Sequence, residues 1–149
     1  MSETQASVVV DAPPDDVWKV VADPRNLPHW DRHISKVVGV PPGGIEVGTE
    51  YSTRLTFWGV SAHVDAEVLE LDPPKRSVIR LSGPLIRATV TTTLAPADDD
   101  RTRLEHEVDY QLRGGPLGHI AARALGASGG PGYALRRGTL AQKQQIEQG

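Results

Sequence analysis

The sequence predicts an α+β domain in which a curved, seven-stranded antiparallel sheet grips one long C-terminal helix. Three observations carry this expectation. Val8 to Trp30 reads as a strand running into two short helices. Six more strand patterns follow between His33 and Leu112, separated by turn signals at the spacing of a meander. Leu117 to Gln148 is helical in composition and closes the chain.

Each element has a local reason. Gln5 to Asp11 is rich in β-branched Val and forms the first strand. Pro13-Pro14 ends it and suits a first helical turn, which has no use for the missing N–H. Asp15 and Asp16 then stand at the positive end of the helix dipole. Val17, Val20 and Val21 give the i, i+3, i+4 stripe of a helix lying on a sheet. Asp23-Pro24 stops that helix, and Arg25 to His29 has room for a turn or two more. The strands expected next are His33–Val40, Thr49–Trp58, Ser61–Leu71, Ser77–Ser82, Ile86–Ala95 and Thr102–Leu112. The last helix is interrupted by the glycine-rich run Gly126 to Gly132, and helical pattern resumes from Tyr133. That run reads either as a surface kink or as a flexible gate over a cavity.

A chain of 149 residues, 38% apolar and 23% charged, has the make-up of one ordinary globular domain spanning residues 1–149. A formal charge of −3 without a Lys/Arg cluster argues against nucleic acid. The absence of cysteine excludes disulfides, thiolate nucleophiles and Cys-ligated metals. The opening residues lack a signal-peptide pattern, and no apolar run approaches the ~20 residues that span a bilayer. The expectation is a cytoplasmic monomer or homodimer with no membrane association.

Strand alternation assigns the inward faces. On the last strand Leu104, His106, Val108, Tyr110 and Leu112 share one face, and Arg103, Glu105, Glu107, Asp109 and Gln111 the other. Tyr51, Thr53, Leu55 and Phe57 are read as inward, as are Ala62, Val64, Ala66 and Val68, and Ala88, Val90, Thr92 and Leu94. Between Ser77 and Ser82 the phase is open. Ile79 and Leu81 inward leaves Arg80 outside, whereas the reverse would bury a cation. With only 5% aromatic residues and many small inward side chains, this sheet cannot fill its own interior, and a ligand cavity is expected.

His106 and Tyr110 are the sharpest chemical signal. One reading is a core histidine hydrogen-bonded to Tyr110 or a carbonyl. The other is a catalytic pair, because imidazole titrates near neutrality and phenol can donate to a developing oxyanion. His29 and His33 stand at i, i+4, but Pro28 and Trp30 argue against a continuous helix there and no third ligand cluster is visible, so no metal is expected. No phosphate loop, dinucleotide fingerprint or nucleophile elbow is present.

Val10-x-Ala12-Pro13-x-x-x-Val17-Trp18, then Trp30, Gly48-Thr49, Asp72-Pro73-Pro74, Thr102-Arg103-Leu104 and Gly115-Pro116-Leu117 together resemble the START/SRPBCC helix-grip superfamily, within it the polyketide cyclase/dehydrase-like group. The resemblance covers essentially the whole chain. It implies a cavity for a hydrophobic, polyketide-like molecule, chemistry without cofactor or metal, and Trp30 at the pocket wall. The glycine-rich run departs from the more regular helix of the family. Two functions follow as expectations. The first is a cyclase or dehydratase, with His106 moving a proton and Tyr110 bonding the reacting carbonyl. In it Trp30, Tyr51, Phe57, Val64, Val90, His119 and Tyr133 would touch the substrate. The second is a binding or carrier protein for a hydrophobic ligand that does no chemistry.

Overall fold

Strand segments whose inward, mostly apolar side chains alternate with outward polar ones, broken by Gly and Pro, lay this chain out as a single sheet. The computed structural model describes residues 2–30, 34–57, 59–84, 86–98, 100–112 and 130–148, without the side chains of 2, 57, 60, 112 and 130–134. Its elements are β1 (Ser2–Val10), α1 (Pro14–Val21), a 3₁₀ turn (Pro24–Asn26), α2 (Leu27–Trp30), β2 (Ile34–Val38), β3 (Glu50–Phe57), β4 (Val60–Asp72), β5 (Arg76–Ser82), β6 (Ile86–Pro96), β7 (Thr102–Leu112) and α3 (Gly130–Gln148). The sheet is antiparallel and seven-stranded in the order β1-β7-β6-β5-β4-β3-β2. The predicted order of elements stands. The first strand begins earlier than expected, at Ser2, because it pairs with β7 along its whole length. α3 is described from Gly130, and residues 113–129, with the first part of the expected helix from Leu117 to Leu125 and most of the glycine run, lie outside the described residues.

Two bulges tune which side chains face inward. On β4 the register shifts between Val68 and Glu70, so Leu71 returns to the inner face while Leu69 is left exposed. On β2 it shifts between Ser35 and Val38, where Lys36 takes a left-handed backbone (φ 57°). Val37 then packs inward, and Val38 is turned to solvent. β5 takes the phase with Arg80 outside: Ile79 and Leu81 pack inward, and Arg80 pairs with Glu67 on the outer face.

Two apolar clusters hold the helices to the sheet. α1 lays Val17 against Val10, Leu94 and Leu104, with Trp18, Val21 and Ile146 around them. Thr102 donates its hydroxyl to the Ala12 carbonyl at 2.8 Å and fastens the entry to α1. The second cluster packs Tyr51, Ala66 and Val68 with Leu27, Val37, Ile79 and Leu81. The β5–β6 turn is tight, and Gly83 donates its N–H to the Ile86 carbonyl at 2.9 Å. A β-carbon at Gly83 would stand 2.8 Å from the His63 carbonyl oxygen, so only glycine lets this turn approach β4.

Gly83→Ala is therefore expected to lower stability by ~1–3 kcal/mol in urea denaturation, as overpacking against rigid backbone does. Gly43→Ala, with open space around its β-carbon, is expected to be near neutral. Equal stability of the two variants would contradict this packing.

Candidate functional site

Strand pairing sets the inward side chains in rows across the sheet. One row runs Ala6, His106, Thr92, Ser77. The next runs Thr4, Val108, Val90, Ile79, Val68. A third runs Tyr110, Ala88, Leu81, Ala66, Tyr51. The first row is buried throughout. In the other two, Thr4, Val108, Val90, Ile79, Tyr110 and Leu81 are only half-buried, and they adjoin one another. Val68, Ala66 and Tyr51 close the patch on the β3–β4 side, buried in the second cluster. An incompletely covered apolar floor with hydroxyls at Thr4 and Tyr110 therefore lies on β5–β7, walled on two sides by filled core. This is the candidate ligand site.

The wall at its inner end is polar. His106 is 6% exposed, and both ring nitrogens are engaged. Nε2 lies 2.6 Å from Gln142 Oε1 on α3, and Nδ1 lies 2.9 Å from Thr92 Oγ1 on β6. An amide oxygen only accepts, so Nε2 carries the proton; the neutral ring then accepts the Thr92 hydroxyl proton at Nδ1. Burial holds the His106 pKa below the usual imidazole value, although the Gln142 contact opposes this. The expected partners were Tyr110 or a carbonyl. Tyr110 is four residues along the same strand, ~13 Å away at ~3.3 Å per residue, and cannot reach the ring. Further polar contacts fasten α3. Trp30 Nε1 donates to Gln145 Oε1 at 2.7 Å, Lys143 Nζ donates to the Val9 carbonyl at 3.0 Å, and Glu147 accepts the Asp11 backbone N–H at 2.7 Å.

The predicted site residues are distributed unevenly around this floor. Val90 and Tyr110 belong to it. Val64 is fully buried on the inner face of β4, and Tyr51 is packed beside the patch. Burial pushes the Tyr51 pKa up to about 12, so its phenol stays protonated. Trp30 is buried where α2 meets α3. His119 and the side chains of Phe57 and Tyr133 lie outside the described residues, as do Trp58 and His33. Sequence reasoning did not single out Gln142 or Gln145. Glutamines on a polar helix carry no signal until the helix is placed on the sheet. Among the described residues, no group of three or more His, Cys, Asp or Glu side chains is placed to hold a metal ion. Nor is any helix long and apolar enough to cross a membrane.

A second hollow, of about 420 Å³, lies on the opposite face of the sheet among Glu50, Ser52, Asp65, Glu67, Arg80 and Ser82. Its groups are exposed or half-buried and largely paired: Asp65 accepts from Ser52 at 2.9 Å and meets His63 at 2.7 Å, and Glu67 pairs with Arg80. Exposed pairs of this kind are a solvated surface. The inner floor, with apolar side chains left partly uncovered, is the better ligand site.

Comparison with known proteins bears on the family and the fold. A family model described as polyketide cyclase/dehydrase and lipid transport matches residues 1–141. The Zhui aromatase/cyclase from a Streptomyces species superposes with a TM-score of 0.79 at 19% identity, over 99% of this chain and 94% of that one. A Thermus thermophilus protein, TTHA0849, gives 0.76 at 16% identity, over 97% of each chain. A START superfamily protein from Mycobacterium smegmatis gives 0.73 at 17% identity, over 98% of this chain and 97% of that one. No curated protein sequence matches. At these identities the structural likeness establishes the helix-grip fold and nothing finer.

The buried neutral His106 makes stability depend on pH. Below the ordinary histidine value of 6.5 the unfolded chain takes up a proton that the folded chain refuses, so stability falls as pH drops from 6.5 to the lowered folded value. The slope contributed by this one group reaches ~1.4 kcal/mol per pH unit. Urea denaturation between pH 7.5 and 5 is expected to show a steeper loss for wild type than for His106→Gln. Parallel profiles would mean that His106 is not held neutral.

Proposed function

Because the chain belongs to the polyketide cyclase/dehydrase and lipid transport family, we propose that it binds a hydrophobic, polyketide-like metabolite on the β5–β7 floor beneath α3, and that it acts as a carrier. The observation behind this reading is the engagement of both nitrogens of His106 by Thr92 and Gln142. A general base needs a free lone pair within reach of the proton it removes. Here Nδ1 already accepts from Thr92, and the ring is walled in by the first row. In this reading His106 joins β6, β7 and α3, and its job is to hold the helix over the floor.

A second reading, cyclisation or dehydration of the bound molecule, is favoured by Tyr110. Its phenol is half-buried at the edge of the floor and can donate to a carbonyl lying there. Rate enhancement would then come mainly from orientation in a confined site, where effective molarities correspond to at most ~7–11 kcal/mol. The family holds both kinds of activity in its description. No cofactor is invoked in either reading.

Equilibrium titration with 1,8-dihydroxyanthraquinone, a flat and uncharged probe, tests the location. Val90→Phe is expected to weaken binding at least ~10-fold by filling the floor, equivalent to ~1.4 kcal/mol. Ser52→Phe, in the outer hollow, is expected to leave binding unchanged. The reverse pattern would place the site on the wrong face of the sheet. His106→Gln separates the two readings: turnover lost with binding intact supports catalysis at this ring, whereas a modest and equal loss of binding and stability supports the carrier.

A further inference from the structure

The charges of the sheet are sorted by face. Among the described residues, no Asp, Glu, Lys or Arg occupies an inward position on β1 or β3–β7. The charged residues of these strands alternate onto the outer face. There Glu67 pairs with Arg80, Glu70 with Arg76, and Asp65 with His63. The bulge on β4 preserves the sorting, because without its register shift Glu70 would turn inward in place of Leu71. On α3, Lys143 is spent on the Val9 carbonyl and on Glu147, while Arg136 and Arg137 are exposed. His106, the ionisable ring at the wall among the described residues, has no hydrogen bond left to offer. Among the described residues, the polar groups left at the floor are the hydroxyls of Thr4 and Tyr110.

Resting on the ligand-binding reading above, we propose that this floor selects uncharged ligands bearing a carbonyl, which Tyr110 engages as donor, and rejects carboxylate- or phosphate-bearing amphiphiles of the same shape. An ionised group brought onto the floor would leave water without meeting a counter-charge among the described residues, and the desolvation would go uncompensated. A carbonyl placed at the Tyr110 edge exchanges one hydrogen bond with water for one with the phenol. The sorting thus divides the molecules a hydrophobic cavity could take. Neutral polycyclic or alicyclic ketones and esters are admitted, and free fatty acids and their phosphorylated relatives are not.

Two probes of one ring system at pH 7.5 test this: anthraquinone-2-carboxylate and its methyl ester, titrated calorimetrically into the full chain. The ester is expected to bind at least ~100-fold more tightly, a difference of ~2.7 kcal/mol. Tyr110→Phe is expected to weaken the ester ~5-fold while leaving anthracene, which has no acceptor, unaffected. Affinities of ester and carboxylate within ~3-fold of each other would overturn the charge selection and leave the pocket itself standing. Binding of neither probe, nor of anthracene, would overturn the pocket and the selection together. Equal weakening of ester and anthracene by Tyr110→Phe would remove the phenol from the role of donor.

Discussion

The clasp between α3 and the sheet is the constraint on which the rest of this molecule depends. A sheet with small inward residues cannot fill its own concavity, and something must lie across it. Here the covering helix is weakly apolar. Leu140 is exposed, and Thr139 and Gln142 are among its buried side chains. Among the described residues it is held at chosen points by polar contacts. Gln142 meets His106, Gln145 meets Trp30, and Lys143 and Glu147 bond the backbone near the end of β1. Ile146 adds an apolar foot in the α1 cluster. Such a clasp is directional: it sets the position of the helix without requiring that the space beneath be packed solid. Burial without partners would make the same groups costly, so the network holds together or fails together.

The two apolar clusters explain where the floor is left open. The first fills the end of the sheet under α1, and the second fills the β3–β4 side under α2. Between them, the inward residues of β5–β7 are covered on their flanks but only partly from above. Among the described residues, the half-buried floor is thus the remainder after two cores have formed at separate places. Substitutions in either cluster act on stability, whereas those at Val90, Val108 or Tyr110 act on what can be held.

Much of this was legible in the sequence, because period-two alternation decides burial when one face of a strand is wet. The buried set on β7 and the small inward set on β4 follow from that rule, whereas on β5 alternation allows both phases, and it is the packing of Ile79 and Leu81 that leaves Arg80 outside. The Pro13-Pro14 break and the Val17 stripe likewise suffice to lay α1 on the sheet. What was not legible depended on contacts distant in the chain. Thr92 and Gln142 become the partners of His106 only when β6 and α3 are brought to it, 14 and 36 residues away. The β4 bulge, which returns Leu71 to the core, departs from simple alternation and carries no marker such as glycine or proline. The pairing of His106 with Tyr110, attractive on paper because both face inward, conflicts with the rise of a strand, which puts every fourth residue out of hydrogen-bond reach.

Methyl-resolved NMR of the protein titrated with a neutral anthraquinone tests the central claim most directly, that the open floor on β5–β7 holds the ligand. The methyl signals of Val90 and Val108 are expected to shift together and saturate with one equivalent, while those of Val10, Val17 and Leu104 in the packed cluster stay in place. Saturable shifts confined to Val38 at the outer hollow, or spread evenly through both clusters, would contradict the account.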